Sequence, residues 1–163
     1  MATILIDHRP HGAETAENLK QGSPVAVKPA ARRPAVTVDG TTIYASGQVP
    51  FDGDQLVSKG KVPSEISVAD ATAAAALCAA NVLRAVYREL GSLDKVDRVL
   101  RITGYVNSDL DFSDQHLVIN GASQLVRDVF GEAGRHARTA IGMAQLPLGS
   151  SVEVEMILRK AES

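Results

Sequence analysis

The chain has 163 residues, of which 45% are hydrophobic, so it is long enough for one globular core. With no tryptophan and only 4% aromatic residues, that core must consist mainly of Ala, Val, Leu and Ile. The formal net charge of −2 argues against nucleic-acid binding, and no run of about 18 apolar residues predicts a membrane span. The single cysteine cannot form an internal disulfide, and residues 4–6 are too short an apolar run for a signal peptide, so we expect a cytoplasmic protein.

Proline and glycine punctuate the start of the chain, and a regular pattern begins only afterwards. Residues 1–33 are therefore predicted to be an irregular N-terminal extension, and residues 34–163 a single domain. The domain opens with a predicted β-hairpin, in which Asp39-Gly40 forms the turn between two β-branched runs. The glycines that follow predict a loop over residues 52–66.

Two helices are predicted in the middle of the domain. Ser67 can cap the first helix, with Asp70 three residues later, and the helix continues over Val68–Leu90 until Gly91 ends it. Its apolar residues recur every three or four positions, at Ala75, Ala79, Val82, Leu83 and Val86. The second helix falls between Ser113 and Phe130, with a predicted apolar stripe of Ile119, Ala122, Leu125, Val126, Val129 and Phe130.

Three further strands complete the domain. Residues 96–106 predict a long strand with Leu100, Ile102 and Val106 on one face. Two C-terminal strands are joined by a turn at residues 146–149, which we interpret as a hairpin. The last strand places Val152, Val154, Met156 and Leu158 on one face, and Glu153 and Glu155 on the other. The order predicts an α+β two-layer sandwich, a mixed β-sheet with two helices on one face, whose other face needs cover from a neighbouring subunit.

The C-terminal turn carries the most specific motif in the chain. Residues 138–153 read R-x-A-x-G-x-x-x-L-P-x-x-x-x-V-E, and an earlier strand ends in Ser-Gly-Gln-Val-Pro at residues 46–50. Together these motifs resemble the signature of the RidA/YjgF superfamily of reactive intermediate (enamine/imine) deaminases, and the resemblance covers most of the chain. It implies a chorismate-mutase-like fold and a homotrimer with ligand clefts between subunits. It also implies hydrolysis of small 2-enamino or 2-imino acids to 2-oxo acids and ammonia, with no cofactor and no metal.

Arg138 and Glu153 are the candidate catalytic residues. From residue type alone, Arg138 could bind a substrate carboxylate with its planar fork of donors, or it could form a structural ion pair with Glu153. Glu153 could orient water and move protons from a partly desolvated position, or it could be a solvated strand residue like Glu155. The resemblance implies the catalytic role for both, with Arg138 anchoring the carboxylate of a small metabolite.

Three further residues are candidates for the substrate-binding wall. The resemblance implies that Gly47 lets the backbone approach the ligand, and that the backbone of Ala140 contacts the carboxylate. Gly47 could instead simply end a strand with unusual torsions. The resemblance implies that Asn120 corresponds to a cleft asparagine of the family; the alternative is a plain position on the helix surface.

The chain departs from the family pattern in ways that indicate a divergent branch. Arg32 and Arg33 stand where many deaminases carry a tyrosine, and Ala140 stands where many carry a cysteine. The missing tyrosine favours an alternative function, a non-catalytic trimer that binds a 2-oxo acid for regulation. Cys78 lies on the apolar side of the first helix and is predicted to be a buried filler. The spacing of the four histidines at positions 8, 11, 116 and 136 does not indicate a zinc site.

Overall fold

The structure is a computed structural model that describes residues 34–162. The predicted extension over residues 1–33 therefore lies outside the described residues. The strands and helices, in chain order, are β1 (Val36–Asp39), β2 (Thr42–Gln48), β3 (Phe51–Asp52), β4 (Gln55–Leu56), α1 (Val68–Leu90), β5 (Val96–Asn107), α2 (Gln115–Phe130), β6 (Ala137–Met143) and β7 (Val152–Lys160).

The main sheet has five strands in the order β1-β2-β7-β5-β6. Every neighbouring pair is antiparallel except β5 and β6, which are parallel. Core residues of the sheet and of both helices form one buried cluster, so the helices cover one face of a mixed sheet. The α+β fold predicted from the sequence is confirmed.

The C-terminal hairpin predicted between β6 and β7 is wrong. β5 lies between these two strands, so the connecting turn crosses the end of β5 instead of joining neighbours. The end of β5 is held on both sides of this crossing: Asn107 N donates to Ser151 O at 2.9 Å, and Ser108 N donates to Met143 O at 3.1 Å. A proline-containing turn fits either arrangement, because local turn chemistry does not choose the strand that inserts between its two arms.

Helix α1 begins and ends where the sequence predicts. Asp70 N donates to the Ser67 hydroxyl at 3.0 Å, and Gly91 ends the helix with φ 79°, a left-handed conformation that glycine adopts without steric cost. Its predicted stripe is buried in the core. By length and composition α1 could cross a membrane, but nine of its 23 residues are buried in the core of the domain.

Helix α2 packs closely against α1 at Gly121. A Cβ on Gly121 would overlap the backbone carbonyl of Thr72, so only glycine allows the two helices this approach. The glycine that breaks the helical pattern in the sequence is thus a packing requirement. Of the predicted stripe, Ile119, Ala122 and Val126 are buried, whereas Val129 is 49% exposed and does not belong to the core.

Two local predictions for the strands fail. A loop was expected over residues 52–66, but its start forms a short antiparallel pair, in which β4 pairs with β3 at Phe51–Asp52. In β5, the pairing with β7 shifts between Val99 and Arg101, so Leu100 is the extra residue of a β-bulge and is only half-buried. The bulge places Val99, together with Ile102 and Val106, in the core.

The second face of the sheet is not covered by any described element. Strand β7 alternates as predicted: Glu153, Glu155 and Ile157 are half-buried on this face, and the buried residues on the other face are Val152, Val154, Met156 and Leu158. Tyr44 is 49% and Ile141 40% exposed. We call this surface the open face.

Candidate functional site

Arg138 lies on β6, an edge strand of the main sheet, and its side chain is on the helix-covered side of the sheet. It pairs with Ile102 of β5, whose side chain is buried in the core. Its Nη1 donates to Asn120 Oδ1 at 2.8 Å and to Ser123 Oγ at 3.2 Å, and both acceptors belong to α2. Among residues 34–162 the ion pairs are Arg135–Glu132 and Arg159–Asp97, so Arg138 has no carboxylate partner there.

The hydrogen bonds of Arg138 continue through Ser123 to His136. His136 Nδ1 lies 2.6 Å from the carbonyl oxygen of Gly134, which can only accept, so Nδ1 carries the proton. In the neutral ring Nε2 is then an acceptor, and the Ser123 hydroxyl donates to it at 3.1 Å. Ser123 thereby accepts from Arg138 and donates to His136.

These residues line a cavity of about 290 Å³. We call it the arginine pocket and define it by its lining residues, Asn120, Ser123, Arg127, Arg135, His136 and Arg138. Burial lowers the pKa of His136, and the positive charges of Arg138 and Arg127 lower it further, against the opposite effect of the Gly134 carbonyl. The lining therefore contains three guanidinium groups, a histidine that favours its neutral form, and no carboxylate.

Glu153 and Gly47 meet on the open face. A Cβ on Gly47 would overlap the carboxylate of Glu153, so glycine leaves the space that this carboxylate occupies. Glu153 is half-buried, and burial raises its pKa, with a further increase from the negative charge of Glu155. The Tyr105 hydroxyl donates to Glu155 Oε1 at 3.0 Å on the same face.

The structure therefore divides the predicted site residues into two groups. Arg138 and Asn120 are in contact, and Ala140 lies two residues along the same strand, half-buried against the core. Glu153 and Gly47 are together on the opposite side of the sheet. Because β5 separates β6 from β7, the strands of Arg138 and Glu153 are roughly 10 Å apart, from two strand spacings of about 4.8 Å. Within one chain these two side chains cannot share a single water.

Ser123, Arg127 and Arg135 were not identified as site residues from the sequence, and His136 was considered there for a zinc site. A signal was present on α2, where Asn120, Ser123 and Arg127 follow each other at helical spacing and so share one side of the helix. The connection of this side to His136 depends on the pairing of β5 with β6. That pairing is not local in sequence.

Two other polar features are structural. Cys78 is fully buried on α1, and burial raises the pKa of its thiol, as expected of a core filler. A second cavity of about 610 Å³ includes Lys61, whose ammonium donates to Asn107 Oδ1, Ser108 O and Ala144 O at 2.8–3.2 Å. Lys61 therefore ties the loop before α1 to the end of β5. No group of three or more His, Cys, Asp or Glu side chains within residues 34–162 is arranged to hold a metal ion.

Comparisons with known proteins agree with this architecture. The model of a family described as "YjgF/chorismate mutase-like, putative endoribonuclease" matches residues 23–159. Protein TCP17 of Trypanosoma cruzi is 40% identical over 136 residues, which is 83% of this chain and 85% of that protein. The crystal structure of Atu1372 from Agrobacterium tumefaciens, a protein of unknown function, has a TM-score of 0.79 and 42% identity, covering 90% of this chain and 92% of its own. A Shewanella oneidensis structure described as "a putative endoribonuclease" has a TM-score of 0.76 and 25% identity, covering 88% and 97% respectively.

Proposed function

The chain belongs to the YjgF/chorismate mutase-like family, and from this premise we propose that it is a deaminase that hydrolyses small 2-imino acids, and their 2-enamino tautomers, to 2-oxo acids and ammonia. The observation that carries the proposal is that the Arg138 guanidinium is fixed in place at a cavity and, among the described residues, lacks a carboxylate partner. Its guanidinium is held in place by two neutral acceptors, has no carboxylate partner within residues 34–162, and borders a cavity. A small carboxylate is the natural partner for such a group.

Arg138 anchors the substrate and so fixes the position of the reacting carbon. The Nη1 nitrogen of Arg138 already donates to Asn120 and Ser123. The other guanidinium nitrogens, Nη2 and Nε, are left to donate to the substrate carboxylate. Imines hydrolyse in water without a catalyst, so the protein needs to supply only orientation and modest proton transfer. This requirement is met by residues of the chain and needs no cofactor.

Glu153 acts as the general base for the attacking water. The raised pKa of its carboxylate makes it a better base than an ordinary glutamate, so it can accept a proton as water attacks C2 of the protonated imine. The C–O bond forms as the C=N π-bond becomes the nitrogen lone pair. The protonated Glu153 then returns its proton to the nitrogen of the carbinolamine, and the C–N bond breaks as the hydroxyl oxygen forms the C=O π-bond. Ammonia leaves, the hydroxyl proton passes back to Glu153, and the 2-oxo acid remains.

Arg138 and Glu153 belong to opposite sides of the sheet, so we propose that they meet across a subunit boundary. In this arrangement Arg138 of one subunit faces Glu153 of the partner subunit, in a cleft of a homotrimer. The open face, with its half-buried carboxylates and exposed Tyr44 and Ile141, supports this because it is the surface that a neighbour can cover. A cytoplasmic location is part of the same proposal.

The test is a rate measurement on an imine formed in the cuvette. An amino-acid oxidase or lyase generates 2-aminoacrylate or 2-iminobutyrate. The rate at which this enamine or imine disappears is then measured with and without the protein. We expect acceleration by the wild type, loss of acceleration in Arg138→Gln, and full acceleration in Arg88→Gln, which changes an exposed arginine in the last turn of α1. Equal rates for Arg138→Gln and wild type would contradict the role of Arg138. Sedimentation of both variants reports whether the trimer persists.

A second candidate function uses the same pocket without turnover. A regulatory trimer that binds a 2-oxo acid needs the Arg138 anchor but not Glu153, and the absence of the family tyrosine favours it. Saturable binding of 2-oxobutyrate that depends on Arg138, together with an unchanged rate of imine decay, would select this function over the deaminase.

A further inference from the structure

Two arginines of the arginine pocket have no role in the proposed reaction. Binding of one substrate carboxylate requires Arg138, yet Arg127 and Arg135 line the same cavity. A wider groove of about 720 Å³ adjoins it and also includes Arg127 and Arg135, with Glu132 on its wall. The region therefore has more arginines than are needed to bind a single carboxylate group.

The concentration of charge is unusual for this chain. The chain has a formal net charge of −2, but the pocket lining carries three guanidinium groups and no acid. The three arginines are solvent-exposed residues around a concave surface, where their like charges repel each other, so a bound anion would stabilise the arrangement. Burial is the main reason why the pKa of His136 is lowered, and the positive charges of Arg138 and Arg127 lower it further.

Both additional arginines can turn to a ligand at little cost. Arg127 Nη2 donates to Gln124 Oε1 at 2.8 Å, a neutral partner on the same helix. Arg135 pairs with Glu132 at 3.2 Å, but the two side chains are 75% and 88% exposed, and exposed ion pairs contribute little to stability. A ligand anion in the pocket therefore competes with weak partners only.

We propose that the arginine pocket binds a dianionic substrate, with Arg138 holding the carboxylate next to the reacting carbon and Arg127 and Arg135 holding a second, distal carboxylate. The substrate class is then the 2-imino and 2-oxo dicarboxylic acids, in preference to monocarboxylic acids. The inference rests on the proposed function for the role of Arg138. A cavity of about 290 Å³ suits a small metabolite of this kind, because ligand sites begin at about 300 Å³.

Equilibrium binding tests the inference without requiring turnover. Calorimetric titration of the full-length protein compares 2-oxoglutarate with 2-oxobutyrate, and a phosphate probe, phosphoglycolate, distinguishes a carboxylate from a phosphate as the second anion. We expect 2-oxoglutarate to bind about tenfold more tightly than 2-oxobutyrate. Arg127→Gln and Arg135→Gln should each remove most of this preference, while Arg88→Gln keeps it. Glu132→Gln should strengthen 2-oxoglutarate binding, because it removes the competing carboxylate from Arg135.

A spectroscopic readout reports on the charge in the pocket. The NMR signals of the four histidines are assigned by comparison with His136→Asn, and the pKa of His136 is then measured with and without ligand. Occupation by a dianion offsets the charges of Arg127 and Arg138, so the pKa of His136 should rise, and it should rise less with 2-oxobutyrate.

Each failure has a distinct signature. Equal affinity for the two 2-oxo acids, unaltered by Arg127→Gln and Arg135→Gln, would overturn the second-anion site while leaving the deaminase intact. Tighter binding of phosphoglycolate than of 2-oxoglutarate would overturn the dicarboxylate assignment. Arg138-independent imine hydrolysis would overturn the proposed function, whereas a dicarboxylate preference that needs Arg127 and Arg135 would still support the second-anion site.

Discussion

Gly47→Ala is the substitution that most directly tests whether Glu153 acts in the reaction. The new Cβ would overlap the Glu153 carboxylate and stand 2.8 Å from its Cδ and 3.1 Å from its Cγ. The carboxylate must therefore move by roughly 1 Å, a displacement that typically costs about 100-fold in rate. A factor of 100 corresponds to about 2.7 kcal/mol of transition-state stabilisation.

The effect on folding should be much smaller. The obstructed atoms belong to the end of a flexible side chain, so Glu153 can leave its rotamer at a cost of about 0.5–1.5 kcal/mol. Gly53→Ala serves as the contrasting control, because Gly53 has φ 58° with nothing near its absent Cβ. A non-glycine residue in that conformation costs about 1–2 kcal/mol, so this variant should lose stability and keep its rate.

The assay is a double-mutant cycle on imine hydrolysis, with denaturant unfolding measured in parallel. If Gly47→Ala acts by displacing Glu153, the double variant with Glu153→Gln should be no slower than Glu153→Gln alone. Multiplicative losses in the double variant would refute the coupling. A Gly47→Ala protein with the wild-type rate would refute the position assigned to the carboxylate.

The remaining predictions concern charge, packing and thiol reactivity. The pKa of Glu153 is raised by burial and by Glu155, so Glu155→Gln should lower it and move the acidic limb of the pH–rate profile to lower pH. Because the folded pKa exceeds the unfolded one, the stability contributed by Glu153 is complete below about pH 4.3 and is lost as the pH rises through the folded pKa, which unfolding at several pH values will show. Gly121→Ala forces a Cβ against the Thr72 carbonyl and should cost about 1–3 kcal/mol in the free energy of unfolding; no loss would contradict the close helix contact. Cys78 should react with a thiol reagent only after unfolding, and prompt labelling of the folded protein would contradict its burial.

Helix α1 shows what local patterns can establish. Its start depends on Ser67 and Asp70, its end on Gly91, and its buried side on residues three and four positions apart. These interactions span no more than one helical turn, so they can be predicted from the sequence. The first β-hairpin and the alternation along β7 are legible for the same reason.

The candidate site could be predicted only in part from the sequence. Residue type and the family motif predicted Arg138 and Glu153 as candidates, and Asn120 of α2 is in contact with Arg138. The hydrogen bond between Ser123 and His136 could not be predicted, because Ser123 lies on α2 whereas His136 immediately precedes β6. Their contact exists only once β6 has paired with β5.

The sequence by itself determined both helices, the five strands of the main sheet, the fold class and the chemical types of the candidate residues, since these follow from short-range periodicity and capping. Only the tertiary structure decided that β5 separates β6 from β7, and with this that Arg138 and Glu153 lie on opposite sides of the sheet. Strand order results from contacts between residues far apart in the chain. A shift of one residue in register reverses the side to which every side chain points, so no local pattern could settle it.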